Sequence, residues 1–176
     1  MPPDIMRTLS PVIPALRRYA RALLHDAWDA DDLVQDCLER AIGRWHQCRG
    51  DGNARAWVFT ILHNLAMTRL RRATRQPRML PIDGAEPASI RATQEEHLHC
   101  QDVMRALAHL PDEQRSVLLL IAVEDLSYLE AAKVLDIPVG TVMSRLSRAR
   151  DRLHRLLSGE STRAPLRIVK NAMNGE

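Results

Sequence analysis

The chain has 176 residues, 45% hydrophobic, 3% aromatic and 27% charged, enough apolar material for one ordinary domain or two small ones. Ala, Leu and Arg dominate and β-branched runs are short, which predicts an all-α fold. No apolar run is long enough to span a bilayer and the N-terminal stretch shows no export signal, so the cytoplasm is the expected setting, without membrane insertion.

The formal net charge of +3 is sorted along the chain: +3 over residues 1–25, −5 over 26–40, +7 over 41–78, −7 over 79–130 and +5 over 131–176. Alternating blocks of this size point to separate surfaces for separate partners. Lysine occurs only at Lys133 and Lys170; every other basic residue is arginine.

Taken in chain order, Ile13, Leu16, Ala20 and Leu23 recur at helical spacing. A second helix is expected from Asp29 to Ile42. Leu33, Val34, Cys37, Leu38 and Ala41 form its apolar stripe, with Asp31, Asp32, Gln35, Asp36 and Glu39 off it. Gly50, Asp51 and Gly52 break the pattern. Asn53 then caps a third helix through Trp57, Phe59, Ile61, Leu62 and Leu65 to Arg72. Trp45 and Trp57 read as core rather than as stacking platforms.

Residues 76–94 hold three prolines and one glycine without helical periodicity. They read as a flexible linker between two small helical domains, residues 1–75 and 95–158, followed by a tail, residues 159–176. In the second domain a helix is expected from about Glu95 to Leu110. After Pro111 another runs from Asp112 to Val123, with Val117, Leu118 and Ile121 inside.

Ser127 and Glu130 have capping-box spacing, so a third helix starts there and ends at Leu135-Asp136. Pro138 suits the first turn of the next helix, where its missing N–H is not needed. Residues 127–157 therefore read as a helix-turn-helix, with Ile137 plugging the angle. In the last helix Val142, Leu146, Ala149 and Leu153 share one face, and Thr141, Ser144, Arg145 and Arg148 another. Gly140 and Thr141 are small enough for close approach to a major groove, and arginine can be bidentate to guanine. The arginines alone fit a solvated face equally well; the cap, the turn and the split faces favour DNA.

Cys37, Cys48 and Cys100 are too few and too scattered for a disulfide framework. His46, Cys48, His97, His99 and Cys100 would ligate zinc only if the fold brought them together. Their spacing fits no common zinc module, and helix-end and linker positions explain them without a metal. No nucleophile–base pair or glycine-rich phosphate loop stands out. The expectation is a non-enzyme with no cofactor and no catalytic or metal residues.

The segment LPDEQRSVLLLIAVEDLSYLEAAKVLDIPVGTVMSRLSRARDRL resembles the C-terminal domain of bacterial extracytoplasmic-function sigma factors. Independently, YARALLHDAWDADDLVQDCLERAI followed by RGDGNARAWVFTILHNLAMTRLRR resembles the N-terminal domain of that family. The two blocks stand in the family's order and cover nearly the whole chain. The resemblance implies a subunit that binds core RNA polymerase, through the beta-prime clamp helices and the beta flap, and directs it to promoter DNA. The C-terminal domain would read the minus-thirty-five element as duplex, through Gly140, Thr141, Ser144, Arg145 and Arg148. The N-terminal domain would hold the minus-ten element as single strand.

For that strand the positions matching the family are the loop Arg49 to Asn53, and Thr60, His63, Asn64 and Met67 on the third helix. Asn64 is the foremost of these, because an amide can pair with the edge of a flipped base. Arg55, Arg69, Arg71, Arg72 and Arg75 would follow the phosphates. The acidic helix, with Asp29, Asp31, Asp32, Gln35, Asp36 and Glu39, matches the segment that docks on core polymerase, and an acidic patch is a poor DNA surface. The resemblance also implies an anti-sigma factor as inhibitor.

Three positions depart from the family pattern. Met143 stands where a basic residue is common, Asp136 where glycine is frequent, and Glu130-Ala131-Ala132 replaces a commoner Glu-Ile-Ala. Two other readings remain open. A sigma-like decoy would sequester an anti-sigma factor without binding DNA, but would not need these arginines. A plain helix-turn-helix repressor would not explain the first 75 residues.

Overall fold

The structure, a computed structural model, describes residues 3–48, 53–75 and 94–158, without the side chains of residues 3, 4, 75 and 94–100. The loop residues 49–52, the linker residues 76–93, the tail 159–176 and the side chains of His97, His99 and Cys100 lie outside that description.

The described residues form eight α-helices and no strand: α1 Pro3–Leu9, α2 Ile13–Leu24, α3 Ala27–Gly43, α4 Ala54–Arg75, α5 Gln94–Ala108, α6 Asp112–Leu118, α7 Tyr128–Leu135 and α8 Val139–Leu157. One-turn 3₁₀ segments lie at Ser10–Val12 and Trp45–Gln47, and a wide π turn at Leu119–Val123.

Local chemistry sets the helix ends. His25 adopts the left-handed conformation, φ 58°, and turns the chain out of α2. Asp26 then caps α3, its Oδ1 accepting the Asp29 N–H at 3.0 Å. That cap starts α3 two residues before the expected Asp29. Asn53 caps α4 as anticipated, with Oδ1 accepting from the N–H groups of Arg55 and Ala56 at 3.1 and 3.3 Å. In α7 the capping box is complete: Ser127 Oγ accepts the Glu130 N–H, and Glu130 accepts the Ser127 N–H at 2.8 Å. Asp136 takes φ 52° at the turn, which aspartate tolerates. Pro138 sits one position before the helix rather than inside it. Its carbonyl accepts the Thr141 and Val142 N–H groups at 2.9 and 3.1 Å.

In the first unit, residues 3–75, α2, α3 and α4 pack around Leu16, Tyr19, Leu23, Leu33, Phe59 and Leu62, all without solvent exposure. Each such side chain contributes about 1.5–3 kcal/mol of transfer free energy. Tyr19 meets Phe59 edge to face at 5.6 Å, and Trp45 meets Trp57 the same way at 6.1 Å. Cys37 is buried with its Sγ 3.6 Å from the Val58 carbonyl, and burial pushes its thiol up to about 12. It is a core residue, not a reactive one. In the second unit, residues 94–158, α6, α7 and α8 close over Val117, Leu120, Val134, Val142 and Leu146.

The helix expected over Asp112–Val123 is regular only to Leu118; the π turn then widens it and Asp125 takes φ 52°. This bend turns Glu124 away from solvent. The two units, expected as separate bodies on a tether, also touch. α4 packs on α7 and α2 on α5 and α6. Arg115 of the second unit donates to Leu23 O of the first at 2.9 Å, and Glu124 bonds Arg18 and Arg55.

Candidate nucleic-acid interface

Helix α8 has two chemically distinct sides. Val142, Leu146 and Ala149 are buried. Gly140, Ser144 and Arg148 are exposed, while Thr141 and Arg145 are half-buried. A Cβ on Gly140 would meet nothing within 4 Å, so nothing inside the described protein requires glycine there. Ser144 Oγ donates to Thr141 O at 3.0 Å. Arg145 is folded back onto Glu113 of α6 at 2.7 Å. Its reach outward therefore competes with a charge-assisted pair. Met143 is 49% exposed, placing an apolar group in the row where a cation would sit.

Helix α4 carries the other candidate cluster. Asn64 is exposed, and Thr60 and Met67 are half-buried. Thr60 Oγ1 is tied to Ala56 O at 3.0 Å. Arg71 and Arg72 are exposed, and Arg71 Nε donates to Met67 O at 3.2 Å. Asn53 does double duty: Oδ1 caps α4, and Nδ2 donates to Glu130 Oε1 of α7.

Three expected strand contacts are placed elsewhere. Arg55, expected along the phosphates, donates instead to Glu124 of the second unit. His63 is only 8% exposed and its Nδ1 meets the Tyr19 hydroxyl at 2.9 Å. Burial lowers its pKa to about 4, so the ring is neutral and belongs to the core between α2 and α4. The helical period puts position 63 one residue before the exposed Asn64, on the inner side. Arg69 is likewise committed. It bonds Asp32 and Asp36, each at 2.6 Å, and donates to Asp29 O at 3.0 Å. The acidic helix neutralises it, and it ties α4 to α3.

The acidic candidates on α3 divide accordingly. Asp31 pairs with Arg21 at 3.0 Å and Arg17 at 3.6 Å. Asp32 and Asp36 hold Arg69, and Asp29 lies at the first turn. Gln35 and Glu39 are exposed and joined to each other at 3.2 Å. Trp28, which the sequence reading passed over, is 85% exposed. It stands at helical spacing from Asp32, Gln35 and Glu39, so one open face carries an indole followed by polar groups.

The contact between units adds residues that periodicity did not single out. Glu124 has no exposed side-chain surface. Its Oε2 lies 3.0 Å from Arg18 and 3.3 Å from Arg55, and its own carbonyl accepts from Arg55 at 2.7 Å. Burial pushes its carboxyl above the usual range, against the two arginines that pull it down. Among the described residues, Glu124 Oε1 and Arg55 Nε are buried without a hydrogen-bond partner. Arg115, 4% exposed, donates to Leu107 O, Leu110 O, Ala108 O and Leu23 O. It clamps the C-terminal ends of α5 and α2, where helix carbonyls lack partners.

The chain is similar to known proteins in sequence and in fold. Residues 9–63 match a family model described as the Sigma2 domain of PhyR, and residues 100–153 match Sigma-70, region 4. The sigma factor RpoE of Bartonella quintana, solved in complex with the anti-sigma factor NepR, is 33% identical with a TM-score of 0.73, covering 90% of this chain and 99% of that one. CnrH, solved in complex with the cytosolic domain of CnrY, is 30% identical with a TM-score of 0.68, covering 89% of each chain. The ECF RNA polymerase sigma factor EcfG of Rhodopseudomonas palustris is 37% identical over 147 residues, 82% of this chain and 80% of its own. Likeness of this extent, through both helical units, shows that the protein belongs to the extracytoplasmic-function sigma factors, the RNA polymerase subunits that direct transcription from particular promoters.

Proposed function

We propose that this sigma factor divides its promoter contacts between its two units. The exposed side of α8, with Gly140, Thr141, Ser144, Arg145 and Arg148, reads the minus-thirty-five element in the major groove. Asn53, Thr60, Asn64, Met67, Arg71 and Arg72 of the first unit hold the minus-ten strand, Asn64 pairing with a flipped base. Arg69 orients α4 against α3 instead of contacting phosphate, and His63 supports the core. The open face of α3, with Trp28, Asp32, Gln35 and Glu39, docks on core polymerase. Aromatic anchors beside complementary charge suit such an interface.

The observation that carries this reading is α8 itself, a helix buried on one side, exposed and arginine-bearing on the other, and set by a tight turn after a capped α7. An unpaired glycine position with open space above its Cα adds to it. The reading places the protein in the cytoplasm, acting without enzymatic chemistry of its own, and under the control of an anti-sigma factor that covers its polymerase-binding faces. Run-off transcription with core polymerase on a promoter library tests it. The expected result is a discrete set of start sites sharing two spaced elements. No specific transcript at saturating protein would refute it. A decoy that binds only an anti-sigma factor would give that negative result.

A further inference from the structure

We propose that Glu124 is the catch of an intramolecular latch, which holds the two units docked and, through Glu130, covers the side-chain amide of the otherwise exposed Asn53 until it is released. The covering rests on the reading of Asn53 given above; the latch does not. The catch is built from one fully buried carboxylate and two arginines of the other unit. Arg18 approaches from α2 at 3.0 Å and Arg55 from α4 at 3.3 Å, and Arg55 also takes the Glu124 carbonyl at 2.7 Å. Six residues on, Glu130 accepts from Asn53 Nδ2, the group that would otherwise be open to a base. The π turn Leu119–Val123 and the left-handed Asp125 aim Glu124 inward, where a regular helix would carry it elsewhere. Irregular turns of this kind recur at functional positions.

The contact is built to open. Arg18 and Arg55 are 56% and 40% exposed, so water and competing anions reach them. Glu124 Oε1 and Arg55 Nε find no hydrogen-bond partner among the described residues, so the pair is incompletely satisfied. Geometry also requires release. A compact chain of this length has a radius of gyration of about 16 Å, hence a diameter of about 40 Å. Elements centred about 25 base pairs apart are separated by about 85 Å of B-form duplex. The docked body cannot rest on both.

Small-angle scattering on full-length protein tests the latch. Wild type is expected near the compact value, and Glu124→Gln several Å larger, with an unchanged helical circular-dichroism signal. Arg18→Gln alters an exposed side chain that the promoter reading does not use. It is expected to expand the protein as well, and it decides the matter if Glu124→Gln fails to fold. Wild type as expanded as both variants, or folded variants as compact as wild type, would overturn the latch while leaving the promoter reading intact. A second measurement uses a fluorescent single strand carrying the minus-ten element selected by run-off transcription. If about nine molecules in ten are closed, Glu124→Gln binds it about tenfold more tightly. Expansion without tighter binding would overturn the covering of Asn53. If no promoter is selected at all, the promoter reading fails and scattering still judges the latch.

Discussion

Replacing Arg115 with methionine keeps much of its volume and strips five N–H donors from a buried position. Two acceptors lose their charged partner outright: Leu23 O, at 2.9 Å, and Leu110 O, at 2.8 Å. Each such bond contributes about 1.5–3 kcal/mol. Leu107 O retains the Leu110 N–H at 3.1 Å, the Ala108 O bond is long, at 3.3 Å, and Asp112, paired with Arg115 at 3.2 Å, is half-exposed and turns to water, so these three lose less. Opposing this, a guanidinium no longer has to be stripped of water, a cost already visible in the lowering of its pKa by burial. The net destabilisation is about 3 kcal/mol. For a chain of this size that corresponds to a fall in Tm of about 6–12 °C. Arg115→Lys keeps the charge but not the planar fork that reaches carbonyls of both units, so it recovers less than half. Urea unfolding followed by circular dichroism measures both variants. A methionine variant within about 0.5 kcal/mol of wild type would show that these carbonyls are satisfied without Arg115 and refute its clamping role.

His63→Gln removes a buried titration. The folded pKa is about 4 and the unfolded about 6.5, so the unfolded chain binds more protons between these values. Stability is fully present above pH 6.5 and falls by up to about 3 kcal/mol as the pH drops towards 4. The variant should show a shallower fall over that window in urea melts, and an unchanged slope would mean that His63 is not buried in solution. Arg145→Ala should weaken upstream-element binding by about 1–3 kcal/mol and relax the preference at one base. Glu113→Gln frees Arg145 and should strengthen the same binding, as read by anisotropy; a uniform loss on all sequences would make Arg145 a phosphate contact. Glu39→Lys should weaken core polymerase binding while leaving helical content and duplex binding unchanged. Asp32→Lys should do the same but also lower stability, since it sets a cation against Arg69; equal core affinity in both variants and wild type would move the docking face off α3.

The legible features were those written locally. Capping chemistry at Asn53 and at Ser127 with Glu130, the left-handed tolerance of Asp136, and the period of Leu33, Val34 and Cys37 against Asp32, Gln35 and Glu39 depend on neighbours within a turn or two. The two faces of α8 were readable for the same reason. The π turn after Leu118 was not, because its residues are ordinary helix formers and the distortion answers to packing.

Long-range pairing followed a different logic. Periodicity says that a guanidinium lies on a given face; it does not say which carboxylate waits opposite. Arg69 read as a phosphate contact until the fold set Asp32 and Asp36 beside it. His63 read as a base contact until α2 brought Tyr19 to its ring. Arg55 likewise read as a phosphate contact, Glu124 and Arg18 are charged residues like many others in the chain, and Arg115 is one arginine among many. They become a catch and a clamp only when segments about seventy to more than a hundred positions apart are docked. Helix caps and stripes are short-range consequences of backbone geometry, whereas burial of a charge is a property of whatever else has folded around it.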